Sequence, residues 1–336
     1  MRGYIIILFL ILFSVQATAQ TDTLVLKNGD VLVGDIKKLQ TGVMIIETDY
    51  SDKDFNVEWN MVMGINTKNM YIISLSDGRR VNGSLMTDPT DSSMVMIIEP
   101  GGIMSVKRMD IVFFKEIENT FLGRLDASID VGFDLAKANE FRQVTSRSYL
   151  AYLGRYWGSD ASLDIVKSKQ DSVQTNRVDG SVGTRLLLQK SWYLYVSAKF
   201  LQSDEQKLKL RSTTNAGAGK FFINTNKVYL GTQVGIAWTN ENFMYDTPVR
   251  NSLEGALGLG INLFDIKDFS LLTNTILYPS ITEKGRVRLD FKIDLKYDLP
   301  LDFYIKLGYT YNFDNKPAAG ASTHDYVLNT AVGWEL

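Results

Sequence analysis

The chain has no cysteine and one histidine, His324, among 336 residues. Without thiols it can form no disulfide, thiolate nucleophile or cysteine-held metal site. One imidazole leaves no histidine-based zinc set, and no cofactor is expected. No stretch of 18 apolar residues exists, so no helix can cross a bilayer. Neither sign of charge dominates: 36 Lys and Arg stand against 38 Asp and Glu, a net charge of −2. Such a chain lacks the basic footprint of a nucleic-acid binder.

What is present is alternation. From Val287 to Tyr297 every odd residue is apolar, and from Arg286 to Asp298 every even one is charged. Period two means a strand with two faces in opposite environments. Twelve such strands are expected, at 122–135, 145–156, 160–168, 177–189, 192–202, 208–223, 228–240, 249–264, 269–280, 286–298, 302–313 and 325–336. Most reach the ~9–11 residues that a tilted strand needs to cross a membrane. The predicted fold is all-β: a 12-stranded antiparallel transmembrane β-barrel, apolar toward lipid and polar inside.

The links alternate in length. Lys190-Ser191 and Asn224 to Lys227 are tight turns, whereas Glu241 to Pro248 and Asp314 to His324 are long. Short turns belong on the periplasmic side of such barrels. Trp157, Trp192, Phe264, Phe269 and Trp334 fall near the short-turn ends, and Trp238, Tyr311 and Phe313 near the others. Two aromatic bands suit two membrane interfaces. Arg2, the apolar run Ile5 to Phe13 and Ala17-Thr18-Ala19 predict a secretion signal over 1–19. The expected address is the outer membrane, with the C-terminus in the periplasm.

An internal repeat precedes the barrel. Leu26-Lys27-Asn28-Gly29-Asp30 with Gly34 matches Leu75-Ser76-Asp77-Gly78-Arg79 with Gly83 at an offset of 49. Asn28-Gly29 and Asp77-Gly78 are hairpin dipeptides, expected to place both residues at positive φ. Gly34 and Gly83 would relieve crowding in the following strand. The reading is two small SH3- or Sm-like β modules, 20–65 and 66–118, on the periplasmic side of a barrel spanning 119–336.

The chain resembles the salt-induced outer-membrane protein family, domain of unknown function 481. The resemblance rests on Leu295-Lys296-Tyr297-Asp298, on Leu307-Gly308-Tyr309-Thr310-Tyr311-Asn312 and on the closing Val332-Gly333-Trp334-Glu335-Leu336. In front it rests on Leu26 to Asp30, Glu47-Thr48-Asp49-Tyr50 and Val57-Glu58-Trp59. It implies a bacterial outer-membrane barrel with no assigned reaction. Partners would be outer-membrane lipid, the barrel-insertion machinery, and a periplasmic protein or peptidoglycan at the front modules.

The candidate lumen lining is Asp126, Asp130, Asp134, Arg286, Arg288, Asp290, Lys292, Asp294, Lys296 and Lys306. Mixed charges could line a small pore. The favoured alternative is a lumen filling of salt bridges, with strand ten opposed to strand one. A Ser322–His324 pair would be the seed of an outer-membrane lipid hydrolase, but catalysis needs the hydroxyl bonded to the imidazole and a third orienting group. The expectation is a non-enzymatic envelope barrel or narrow pore.

Overall fold

The computed structural model describes residues 22–117, 124–136, 141–171, 173–244, 248–266, 268–317 and 320–334. The expected signal at 1–19 lies outside the described residues. The described chain is all-β apart from single 3₁₀ turns. No helix among the described residues is long and apolar enough to cross a membrane.

The front unit holds β1 (Asp22–Leu26), β2 (Val31–Gln40), β3 (Val43–Glu47), β4 (Phe55–Glu58) and β5 (Val62–Asn66). The second repeat supplies β6 (Tyr71–Leu75), β7 (Arg80–Thr87), β8 (Met94–Glu99), β9 (Gly102–Lys107) and β10 (Ile111–Glu116). Each half thus carries five strands, but the halves do not make two barrels. β5 pairs with β7 of the other repeat, and β10 pairs with β2. The pairings β1–β5–β7–β6–β10–β2–β1 close one six-strand ring. One hydrophobic core, from Leu24 to Phe114, runs through both halves. Each repeat alone would leave two strand edges unpaired, and the exchange removes them.

Equivalent residues of the two repeats meet near the middle of this unit. Tyr71 donates its hydroxyl to Asp22 at 2.7 Å, and Trp59 donates its indole N–H to the Arg108 carbonyl at 3.1 Å. Both pairs are separated by 49 residues, the repeat offset. Burial, and then the Asp22 charge, push the Tyr71 phenol far above its ordinary range, so it stays a donor.

The hairpin turns differ from expectation in one respect. Gly29 and Gly78 have φ of 91° and 84°, while Asn28 and Asp77 do not take positive φ. Asn28 and Asp77 instead accept the backbone N–H two residues on, at 3.1 and 3.0 Å. That is an Asx turn, a second way for these side chains to mark a reversal. Gly34 is needed as expected: a Cβ there would collide with the Glu47 carbonyl.

The second sheet is a twelve-strand antiparallel meander in sequence order. Its strands are β11 (Leu125–Ala136), β12 (Phe141–Leu153), β13 (Trp157–Gln170), β14 (Val173–Leu187), β15 (Trp192–Ser203) and β16 (Leu208–Asn224). β17 (Val228–Phe243), β18 (Arg250–Ile266), β19 (Phe269–Pro279), β20 (Val287–Asp298), β21 (Phe303–Asp314) and β22 (His324–Trp334) complete it. The sheet curls until distant strands touch across its concave side. Arg177 of β14 lies 3.7 Å from Asp325 of β22, and Lys199 of β15 lies 3.9 Å from Asp290 of β20. Among the described residues no ladder joins β11 to β22.

The convex face carries the apolar residues. Ile129, Phe133, Val234, Ile236, Trp238, Leu257 and Val332 are all exposed. The concave face carries charge, and some of it is sealed from solvent, as at Arg286, Glu241 and Glu254. This inverts the usual arrangement of a soluble protein, in which lone charges are kept outside.

The front unit sits on the short-turn end of the curled sheet. Arg80 donates to the Gly154 carbonyl at 3.0 Å, and Arg155 pairs with Glu99 at 3.0 Å. Asn226, buried in the turn before β17, donates to the Ile111 carbonyl at 2.8 Å. Gly78 abuts Ser191 in the Lys190-Ser191 turn, where a Cβ would come within 2.8 Å of the Ser191 Cα.

Candidate functional site: a charged concave face

Inside the curl, the alternation of β16, β17, β18 and β20 sends one polar residue inward at every second position. Near the long-link end, four arginines converge on three carboxylates. Glu241 of β17 takes Arg211 at 2.7 Å, Arg250 at 2.6 Å and Arg286 at 2.9 Å. Arg286 also pairs with Asp314 at 2.6 Å, and Arg288 pairs with Glu254. Thr239 binds Glu254 at 3.1 Å and receives Arg288 at 3.0 Å. The Arg288 guanidinium also lies over the Tyr278 ring, 4.8 Å from its centre.

Glu241, Glu254 and Arg286 are almost fully buried. Such desolvation is tolerable only because each charge has several partners, which together form a cross-braced plug. The tether extends to the long link after β21, since Arg250 also donates to the Lys316 carbonyl at 2.6 Å. Chemically this cluster can hold a shape and block a passage. Most of its polar atoms are engaged with one another.

Toward the front unit the lumen is lined differently. Tyr193 and Tyr195 of β15 lie flat against glycines: a Cβ on Gly219 would strike the Tyr193 ring, and one on Gly235 would come within 2.6 Å of the Tyr195 hydroxyl. Phe221 stacks on Tyr193 at 4.7 Å and leans on Tyr229 at 5.6 Å. Glycine on the wall makes room for an aromatic ring from the next strand. A cavity of about 540 Å³ is lined by this aromatic layer together with Lys199 and Asn215. A second, of about 410 Å³, lies where the front unit meets the barrel. Asp160, Arg185, Phe221, Tyr229 and Asn262 line both.

Only part of the expected lining gathers in one place. Arg286, Arg288 and Asp290 belong to the cluster or touch it, but their partners are Glu241, Glu254, Asp314 and Lys199, not the strand-one aspartates. Asp126 instead receives Lys115 of the front unit at 3.3 Å. Asp130 is exposed, and the side chain of Asp134 lies outside the described residues. Lys292 pairs with Asp294 at 3.4 Å and Lys296 with Asp298 at 2.8 Å, both within one strand. Lys306 lies 4.2 Å from the Tyr304 ring centre. Among the described residues the strand-ten charges meet β15, β17, β18 and β21 rather than strand one.

Sequence reasoning missed Glu241 and Asp314 because both were assigned to links. The strands run further than expected, β17 to Phe243 and β21 to Asp314. The period-two phase of β17 points Glu241 inward with Ala237 and Thr239, and could have found it. The Ser322–His324 pair is not assembled for catalysis. Ser322 donates to the His324 backbone carbonyl at 2.7 Å, and the His324 ring contacts Thr323. Among the described residues no group of His, Asp and Glu is placed to hold a metal.

No curated protein matches the chain. Residues 129–335, more than half of its length and nearly all of the twelve-strand sheet, match the family described as "Protein of unknown function, DUF481". The chain, with its charge-filled curled sheet, belongs to that family.

Proposed function

We propose that the protein is a non-enzymatic outer-membrane β-barrel of a bacterial envelope, with β11 and β22 as the strands that meet on closure. The observation that carries this is the inversion of the twelve-strand sheet. Its convex face shows a band of exposed apolar residues, while its concave face buries arginine and glutamate. Lipid is the solvent that matches such a face. The strands, up to 17 residues long, exceed what a bilayer needs, so their tips stand in water. The arginine cluster lies at the outer mouth, and the front unit covers the periplasmic mouth. The lumen is thus closed at rest, and the protein acts as an envelope scaffold rather than an open pore. Its exposed front unit is the surface offered to a periplasmic protein or to peptidoglycan.

The lipid face is tested by a pair of substitutions on neighbouring residues of β20. Phe291 shares the apolar face with Tyr309, 6.3 Å away between ring centres. Lys292 points the other way, into the wet part of the lumen. Phe291→Lys is expected to destabilise the protein in lipid vesicles by ~2–4 kcal/mol, the cost of a cation at the midplane. Lys292→Ala should cost well under that. Urea unfolding in vesicles reads both. Equal effects would refute the membrane reading, as would recovery of the native chain in the soluble periplasmic fraction.

A further inference from the structure

Two guanidinium groups face the cavity between the front unit and the barrel without a carboxylate to neutralise either. Arg80 comes from β7 of the front unit. Its Nε donates to Ser74 at 3.1 Å and its Nη1 to the Gly154 carbonyl at 3.0 Å, both uncharged acceptors. Arg185 comes from β14 and lines both cavities. Among the described residues no carboxylate stands within ion-pair distance of Arg80 or Arg185. Every arginine of the outer cluster, by contrast, has at least one. The two cations also act on each other: burial, and then the Arg185 charge, pull Arg80 down to about 10. Two like charges held together in a partly dry cavity raise the energy of the empty site, and an anion between them would lower it.

The remaining walls define the rest of the ligand. Tyr149, Phe221, Tyr229 and Phe264 are aromatic, and Asn262 adds an amide. Asp160 is the one carboxylate on the lining of this cavity. A volume of about 410 Å³ suits a small organic molecule. Guanidinium pairs match the oxygens of phosphate and carboxylate in a bidentate fork.

We propose that the junction between the front unit and the barrel is a binding site for a small organic oxyanion with an aromatic or apolar body, gripped by Arg80 and Arg185. The inference rests on the fold and does not depend on which membrane, if any, holds the protein. Because Arg80 and Arg185 come from different units, bound anion also ties the front unit to the barrel.

The full chain, refolded in detergent, tests the site by calorimetric titration. The probes are phenyl phosphate, inorganic phosphate and dihexanoyl phosphatidate below its micellar concentration. Phenyl phosphate should bind, and more tightly than inorganic phosphate. Arg185→Gln should weaken it by roughly tenfold or more, the loss of one charge-assisted fork. The Arg185 side chain makes no hydrogen bond or ion pair among the described residues and its backbone pairing in β14 is untouched, so this variant keeps its fold. Asp160→Asn should tighten binding, because it removes the opposing charge. Binding of the phosphatidate as tightly as phenyl phosphate would identify a lipid headgroup as the source of the anion, and its failure to bind a water-soluble one. Absence of phenyl phosphate binding at millimolar concentration would overturn the proposal. So would binding that Arg185→Gln leaves unchanged, or inorganic phosphate bound as tightly as its phenyl ester.

Discussion

Glu241→Gln should lower the unfolding free energy of the protein in detergent by about 3–5 kcal/mol, the cost of stranding buried charge. The carboxylate takes three guanidinium groups within 3 Å and is sealed from solvent. A neutral amide would leave Arg211, Arg250 and Arg286 sharing Asp314 and Glu254. The double variant Glu241→Leu with Arg286→Met should recover part of the loss, since it removes a matched pair of charges. Asp298→Asn, which touches only the half-exposed Lys296, should cost about 1 kcal/mol or less. Urea titration followed by circular dichroism ranks the three. A Glu241 effect no larger than that of Asp298 would show that the cluster does not brace the barrel. If the cluster closes the outer mouth as proposed, the wild-type chain should conduct little in planar bilayers and Glu241→Gln more.

The second large effect lies in the front unit. Residues 20–118 should fold alone and melt in one transition, and Trp59→Ala should destabilise that fragment by about 3–5 kcal/mol. Trp59 is 1% exposed, meets Phe114 edge-on at 5.9 Å between ring centres and bonds to the Arg108 carbonyl. Its indole therefore joins the first repeat to the second. Thermal melting by circular dichroism is the measurement. One shifted transition is expected, whereas two transitions with only the earlier one shifted would restore the picture of independent modules.

Strand number was legible because each strand states its phase locally. β20 alternates without a break, and the expected 286–298 differs from Val287–Asp298 by one residue. The same logic failed at strand tips. At the tips of β17 and β21 the charged residues Glu241 and Asp314 looked like the start of polar links. The partners of Arg286 were hidden for a different reason. Glu241 stands 45 positions from Arg286 on a non-adjacent strand, and no local spacing records that pair, while Asp314 meets Arg286 diagonally across the β20–β21 hairpin. In the front unit, Gly29 and Gly78 announce the β1–β2 and β6–β7 hairpins. Nothing beside β5 says that its free edge, opposite β1, pairs with β7 of the other half, because edge strands of similar pattern are interchangeable in sequence.

That exchange has a consequence for stoichiometry. A ring whose two halves meet edge to edge, β5 on β7 and β10 on β2, is, geometrically, a dimer held in one polypeptide. Residues 22–67 by themselves present the open edges of β2 and β5, and the surface complementary to those edges is another copy of the same segment. The duplication thus fixes the copy number at two by covalent linkage, and it converts an association that would depend on concentration into one that does not.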